Sequence, residues 1–165
     1  MMIGKRLLVI AVFILSIAAT MSALSSNMPT GNSIRVFEWP SGDASERPSP
    51  ADRIKEDQIK VYNDRIVIEL EGARWAKFTD TNSMDPVIDK EANAIQVVPE
   101  DPDTIQEGDI ISYEYDGRTI IHRVIRTGYD DNGWYAITKG DNIKEPDPEK
   151  VRFSQVKKIV VGILY

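Results

Sequence analysis

The stretch Ile59-Lys60-Val61-Tyr62-Asn63-Asp64-Arg65-Ile66-Val67-Ile68-Glu69-Leu70 marks the point where the chain turns to strands. Ile59 and Val61, then Ile66, Ile68 and Leu70, recur at a spacing of two, so each set lies on one face of an extended segment. Asn63-Asp64 between them suits a tight turn, and the whole reads as a β-hairpin. Further strands are expected over Trp75 to Phe78, Ala94 to Val98, Asp109 to Tyr115, Thr119 to Arg126, Trp134 to Thr138 and Lys158 to Leu164. Clusters of Gly, Asp, Asn and Pro separate them. Short strands with regular turns and little helix predict a mainly β chain, an antiparallel domain of sandwich or barrel type, over residues 51–165.

Upstream the composition changes. Residues 25–50 are rich in Ser, Pro, Asn and Gly and read as a linker, with a short extended piece over Ile34 to Trp39. Ser49-Pro50 resembles an N-cap followed by a first-turn proline and predicts a short helix over Ala51 to Asp57. Before the linker, Lys5 and Arg6 precede an uncharged run of 18 residues from Leu7 to Leu24. As a helix this run would span roughly 27 Å, about the width of a bilayer core. Basic residues before it, and none after it until Arg35, place residues 1–6 in the cytoplasm and the β-domain on the extracytoplasmic side. The competing reading is a cleaved signal peptide, since the stretch Ala18 to Ala23 has small residues near its end. The run exceeds the 7 to 15 residues usual for such a segment, which favours a retained single-pass transmembrane signal-anchor at 7–24.

Bulk properties remove several function classes. The formal charge is -6, from 20 Lys+Arg against 26 Asp+Glu, and no segment is dense enough in Lys and Arg to neutralise phosphates, so no nucleic-acid partner is expected. There are no cysteines, which rules out disulfides and thiolate nucleophiles, and a single histidine argues against a transition-metal site. No cofactor is called for.

Three segments carry chemistry. Ser83 lies in Thr79-Asp80-Thr81-Asn82-Ser83-Met84-Asp85-Pro86, directly after a strand; its hydroxyl becomes a nucleophile only beside a base. His122, in Thr119-Ile120-Ile121-His122-Arg123-Val124-Ile125, shares a strand face with Ile120 and Val124 and is therefore at least partly buried. Lys139-Gly140-Asp141-Asn142-Ile143-Lys144-Glu145-Pro146-Asp147 is an acidic loop in which Asp141 or Asp147 could accept the second ring N–H of a histidine and fix its tautomer. Each segment taken alone reads more readily as a turn, a packed histidine or a solvated loop.

In order, Ser83-Met84-Asp85-Pro86, Gly108-Asp109-Ile110-Ile111-Ser112-Tyr113, Ile120 to Ile125, and Lys139-Gly140-Asp141-Asn142 with Asp147 six positions after Asp141 resemble the successive boxes of the type I signal peptidase family. The likeness is to its archaeal and endoplasmic-reticulum branch, because His122 stands where the bacterial branch has a lysine. It covers residues 75–165. The resemblance implies Ser83 as nucleophile, His122 as general base, Asp147 as triad acid and Asp141 in a supporting position. It also implies Thr81 and the Ser83 backbone N–H as oxyanion donors. The substrates would be preproteins bearing signal peptides, cut at the membrane, with accessory membrane subunits left open. The chain departs from the family in having Thr81-Asn82-Ser83 in place of Ser-Gly-Ser, and in lacking an Arg-Gly-Asp-like tripeptide in Val87 to Asn93. These departures motivate the alternative of a binding, assembly or self-cleaving module on the same fold.

Overall fold

A computed structural model describes residues 47–165. The expected cytoplasmic N-terminus, the transmembrane segment 7–24 and the linker up to residue 46 lie outside the described residues. Among the described residues no helix is long and apolar enough to cross a membrane.

Mainly β structure is what the alternation predicted, and every strand pair is antiparallel. Strands β1 (Ile59–Val61) and β2 (Ile66–Ile68) form the expected hairpin, with Val61 opposite Ile66 and the Tyr62 N–H donating to the Arg65 carbonyl at 2.8 Å around Asn63-Asp64. This hairpin, within Glu56–Glu69, belongs to one compact unit; residues 47–55 and 70–165 belong to another. The larger unit holds a seven-stranded sheet of β3 (Arg74–Lys77), β4 (Asn93–Val97), β5 (Ile110–Tyr115), β6 (Arg118–Asp130), β7 (Gly133–Lys139), β8 (Val151–Arg152) and β9 (Val156–Leu164). Their order across the sheet is β3-β4-β9-β5-β6-β7-β8. Register shifts in the β4–β9, β5–β9 and β6–β7 pairings mark β-bulges, which bend the sheet.

The two faces bury different cores. Ile111, Tyr113, Val124, Trp134, Ala136, Val151 and Ile159 pack on one side. Ala94, Ile110 and Val160 pack on the other beneath Met84, Ile88 and Ala92, from the segment that links β3 to β4. Ser83 directly precedes Met84 in that segment, so burying Met84 (2% exposed) and Ile88 (4%) fixes Ser83 against the sheet.

The helix expected over Ala51 to Asp57 does not form; the nearest helical element is a 3-10 turn at Glu56–Gln58. Tertiary contacts take the groups a helix would need. The Ala51 N–H donates to Asp109 Oδ1 at 2.9 Å, Arg53 reaches Asp109 Oδ2 at 2.6 Å, and Gln106 Nε2 donates to the Ser49 carbonyl at 3.2 Å. Asp109 is 0% exposed and also accepts from the Gln106 N–H, so its charge is met by three donors. Gly108, at φ +99°, has the Ser49 carbonyl oxygen 2.4 Å from where a Cβ would sit, so the strap crosses here only because residue 108 has no side chain.

Candidate active site

His122 and Arg123 are consecutive on β6 and therefore point to opposite faces of the sheet. The loop after β7 supplies a carboxylate to each. Asp147 meets His122, with Oδ2 2.8 Å and Oδ1 3.0 Å from Nδ1. Asp141 meets Arg123, with Oδ1 2.8 Å from Nε and Oδ2 2.7 Å from the terminal nitrogen, a fork-on-fork pair. Of the two aspartates that spacing left open for the histidine, the structure brings Asp147 to the ring and keeps Asp141 on the neighbouring arginine. The other Arg123 terminal nitrogen donates to the Gly108 carbonyl at 2.8 Å, so Asp141 braces the turn that enters β5.

Asp147 is held from three sides. Tyr113 donates its hydroxyl to Oδ2 at 2.8 Å and Thr138 donates to the same oxygen at 2.6 Å, while the Asp147 N–H bonds the Thr138 carbonyl at 2.8 Å. Burial pushes the Asp147 carboxyl up, but the hydrogen bonds from His122, Thr138 and Tyr113, with the charge of protonated His122, outweigh it and hold the group below the ordinary aspartate value. The Tyr113 hydroxyl is pushed well above its usual range, first by burial and then by its bond to Asp147, against the opposing bond with Thr138; it stays a protonated donor. A carboxylate that only accepts requires the proton on His122 Nδ1, which leaves the Nε2 lone pair free.

That nitrogen faces Gly140. A Cβ built at Gly140 would lie 3.1 Å from His122 Nε2 and 2.5 Å from the Ser83 carbonyl oxygen, so glycine lets the ring and the Ser83 backbone approach the same point. The loop is clamped there. The Asn142 N–H donates to the Ser83 carbonyl at 3.0 Å and its side-chain amide to the Asn82 carbonyl at 3.0 Å. Asn82 has φ +56°, a left-handed conformation that Asn tolerates better than most residues, which accounts physically for Asn where the resembling family has Gly.

Ser83 and Thr81 hydroxyls lie 3.2 Å apart. No hydrogen bond joins Ser83 Oγ directly to His122 among the described residues. Serine and imidazole line one groove of about 950 Å³, together with Ala76, Phe78 and Ile121. Two backbone edges open onto it. β3 pairs only with β4, and the Arg118–His122 part of β6 pairs with β5 alone, because β7 joins β6 from Arg123 onward. Unpaired edges are templates for an added strand.

All five sequence candidates, Thr81, Ser83, His122, Asp141 and Asp147, thus fall in one region of the larger unit. Sequence reasoning missed Tyr113, Thr138, Gly140 and the partnership of Arg123 with Asp141. Strand register carries the signal for two of them: Ile111 opposite His122 and Tyr113 opposite Ile120 put Tyr113 on the histidine's face, and Val124 opposite Thr138 does the same for the threonine. No group of three or more His, Cys, Asp or Glu that could hold a metal is found among the described residues. Comparison of the chain with protein-family models, with curated proteins and with solved structures finds no match.

Proposed function

We propose that this chain is a membrane-bound serine endopeptidase that removes signal peptides from exported preproteins. The observation that carries the reading is His122 bonded through Nδ1 to a half-buried, triply held Asp147 while Nε2 faces the Ser83 turn. In this mechanism His122 Nε2 takes the Ser83 hydroxyl proton as Oγ attacks the scissile carbonyl, and Asp147 stabilises the imidazolium. Thr81 Oγ and the Ser83 N–H meet the developing oxyanion. His122 then protonates the leaving amine, and water releases the acyl group by the same route. Serine and imidazole need only close up around substrate, since such bonds are often loose in a free enzyme. An extended preprotein segment adds to the open edges of β3 and β6. The apolar run 7–24 anchors the chain, with the β-domain extracytoplasmic.

The test is cleavage of a preprotein by membranes carrying the full chain, Ser83→Ala or His122→Ala. Each variant is expected to lose at least about 10³-fold in rate, as triads do when one member is removed. Equal processing by all three overturns the protease reading and leaves the binding or assembly module.

A further inference from the structure

The groove beside Ser83 has a charge opposite to that of the protein. The chain as a whole carries six more acidic than basic residues, yet the groove lining contains Lys77, Arg118, Lys157 and Lys158 and not one Asp or Glu. Lys157 is neutralised by Glu114 at 2.6 Å, and Lys77 lies over the Trp75 ring at 5.6 Å. Arg118 and Lys158 make no ion pair among the described residues. Lys158 is half-buried on the sheet face, in register with Ser112, which is itself in register with Ile121 of β6. With these cations unpaired, the groove presents a positive charge that an anionic occupant would offset.

We propose that the groove selects an extended peptide with an acidic side chain three to five residues from the bond cut at Ser83. This deepens the protease reading and rests on it for the position of the cut. Distance sets the position. Arg118 precedes His122 by four residues on β6, roughly 13 Å at about 3.3 Å per residue. A peptide strand added along the open edge, with its carbonyl at Ser83, meets Arg118 about four residues away. Lys158 lies two strands over from Ile121 and on its face of the sheet, opposite the face that Arg118 shares with His122, so it adds positive charge to the groove without meeting the same peptide side chain as Arg118.

The experiment uses the full chain in detergent with a peptide panel sharing one cleavage site and carrying Glu, Gln or Lys in turn at each of five positions on either side. The expected result is a preference for Glu over Lys at one position three to five residues from the cut, about 2- to 5-fold, weakening with added salt. In the double variant Arg118→Glu/Lys158→Glu the preference inverts. Cleavage with no position whose Glu-to-Lys ratio moves in that variant overturns the proposal. Fluorescence anisotropy of the same labelled peptides on the Ser83→Ala chain separates the two readings. If nothing is cleaved but acidic peptides bind and charge reversal abolishes that binding, the groove's preference stands and the protease reading fails. Peptide binding indifferent to the reversal overturns the preference. A reversal that weakens only binding to phosphatidylglycerol over phosphatidylcholine vesicles also overturns it, in favour of a membrane-surface role.

Discussion

Two carboxylate–cation pairs sit side by side where β6 meets the loop after β7, and they are built alike but placed for different work. His122–Asp147 and Arg123–Asp141 both bring oxygen and nitrogen to 2.7–2.8 Å, and the partners have similar small exposures, 12% and 17% against 22% and 18%. The cation decides the difference. A guanidinium keeps its charge at any working pH and turns its remaining nitrogen to the Gly108 carbonyl, which makes Arg123–Asp141 a brace. An imidazole can give and take a proton, and its free nitrogen faces the Ser83 turn, which makes His122–Asp147 a candidate relay. Consecutive residues on one strand thus divide chemistry from support by the alternation of the pleat.

The sharpest way to break this contrast is to neutralise each aspartate in turn. Asp147→Asn removes the acceptor that fixes the His122 tautomer, and kcat is expected to fall about 10³- to 10⁴-fold with the fold intact by circular dichroism. Asp141→Asn leaves the relay untouched and weakens the brace, so urea unfolding should show a loss of about 2 kcal/mol while kcat falls far less. Equal kinetic losses from the two variants would erase the distinction. Between these in kinetic effect stands Gly140→Ala. Its Cβ meets backbone at 2.5 Å, which cannot rotate away, so Ser83 and the ring must part and kcat should drop about 100-fold. Wild-type kcat in that variant would show that the approach at Gly140 does not position the pair.

The relay and the brace were not equally legible in the sequence. Alternation located six of the seven strands of the large sheet, because each runs four residues or more, long enough to show a period of two. β8 has two residues and carries no period. The Ser49-Pro50 signal looked like a helix start, but the buried Asp109 carboxylate, 58 positions from Ala51, captures its N–H, and local capping preference cannot anticipate a partner so distant in sequence. His122 and the acidic loop were visible as residue types. What the loop does with its two aspartates was not, because that depends on the pleat sending residues 122 and 123 apart and on a turn that returns the Asp147 N–H to the Thr138 carbonyl.

The smallest expected effect tests how the relay is tuned. Tyr113 and Thr138 reach Asp147 but not the histidine, so they are positioning residues, and Tyr113→Phe or Thr138→Val should lower kcat by about 3- to 10-fold. A merely structural role could produce that loss, and the pH profile tells the two apart. Burial pushes the Asp147 carboxyl up and its donors, these two among them, hold it down; removing one donor lets it rise. A carboxyl held below its unfolded value, near 3.9 for Asp, contributes stability that is present above that value and is lost as pH falls through the folded one. In either variant acid unfolding should therefore begin at higher pH than in the wild type, and the acid limb of kcat/KM should move the same way. The Arg152–Asp130 pair is the control. Arg152 and Lys150 hold Asp130 far below its ordinary value, away from the relay, so Lys150→Gln should leave the limb of kcat/KM where it was. A limb that moves with Lys150→Gln and not with Tyr113→Phe would show that Asp147 does not act on the base.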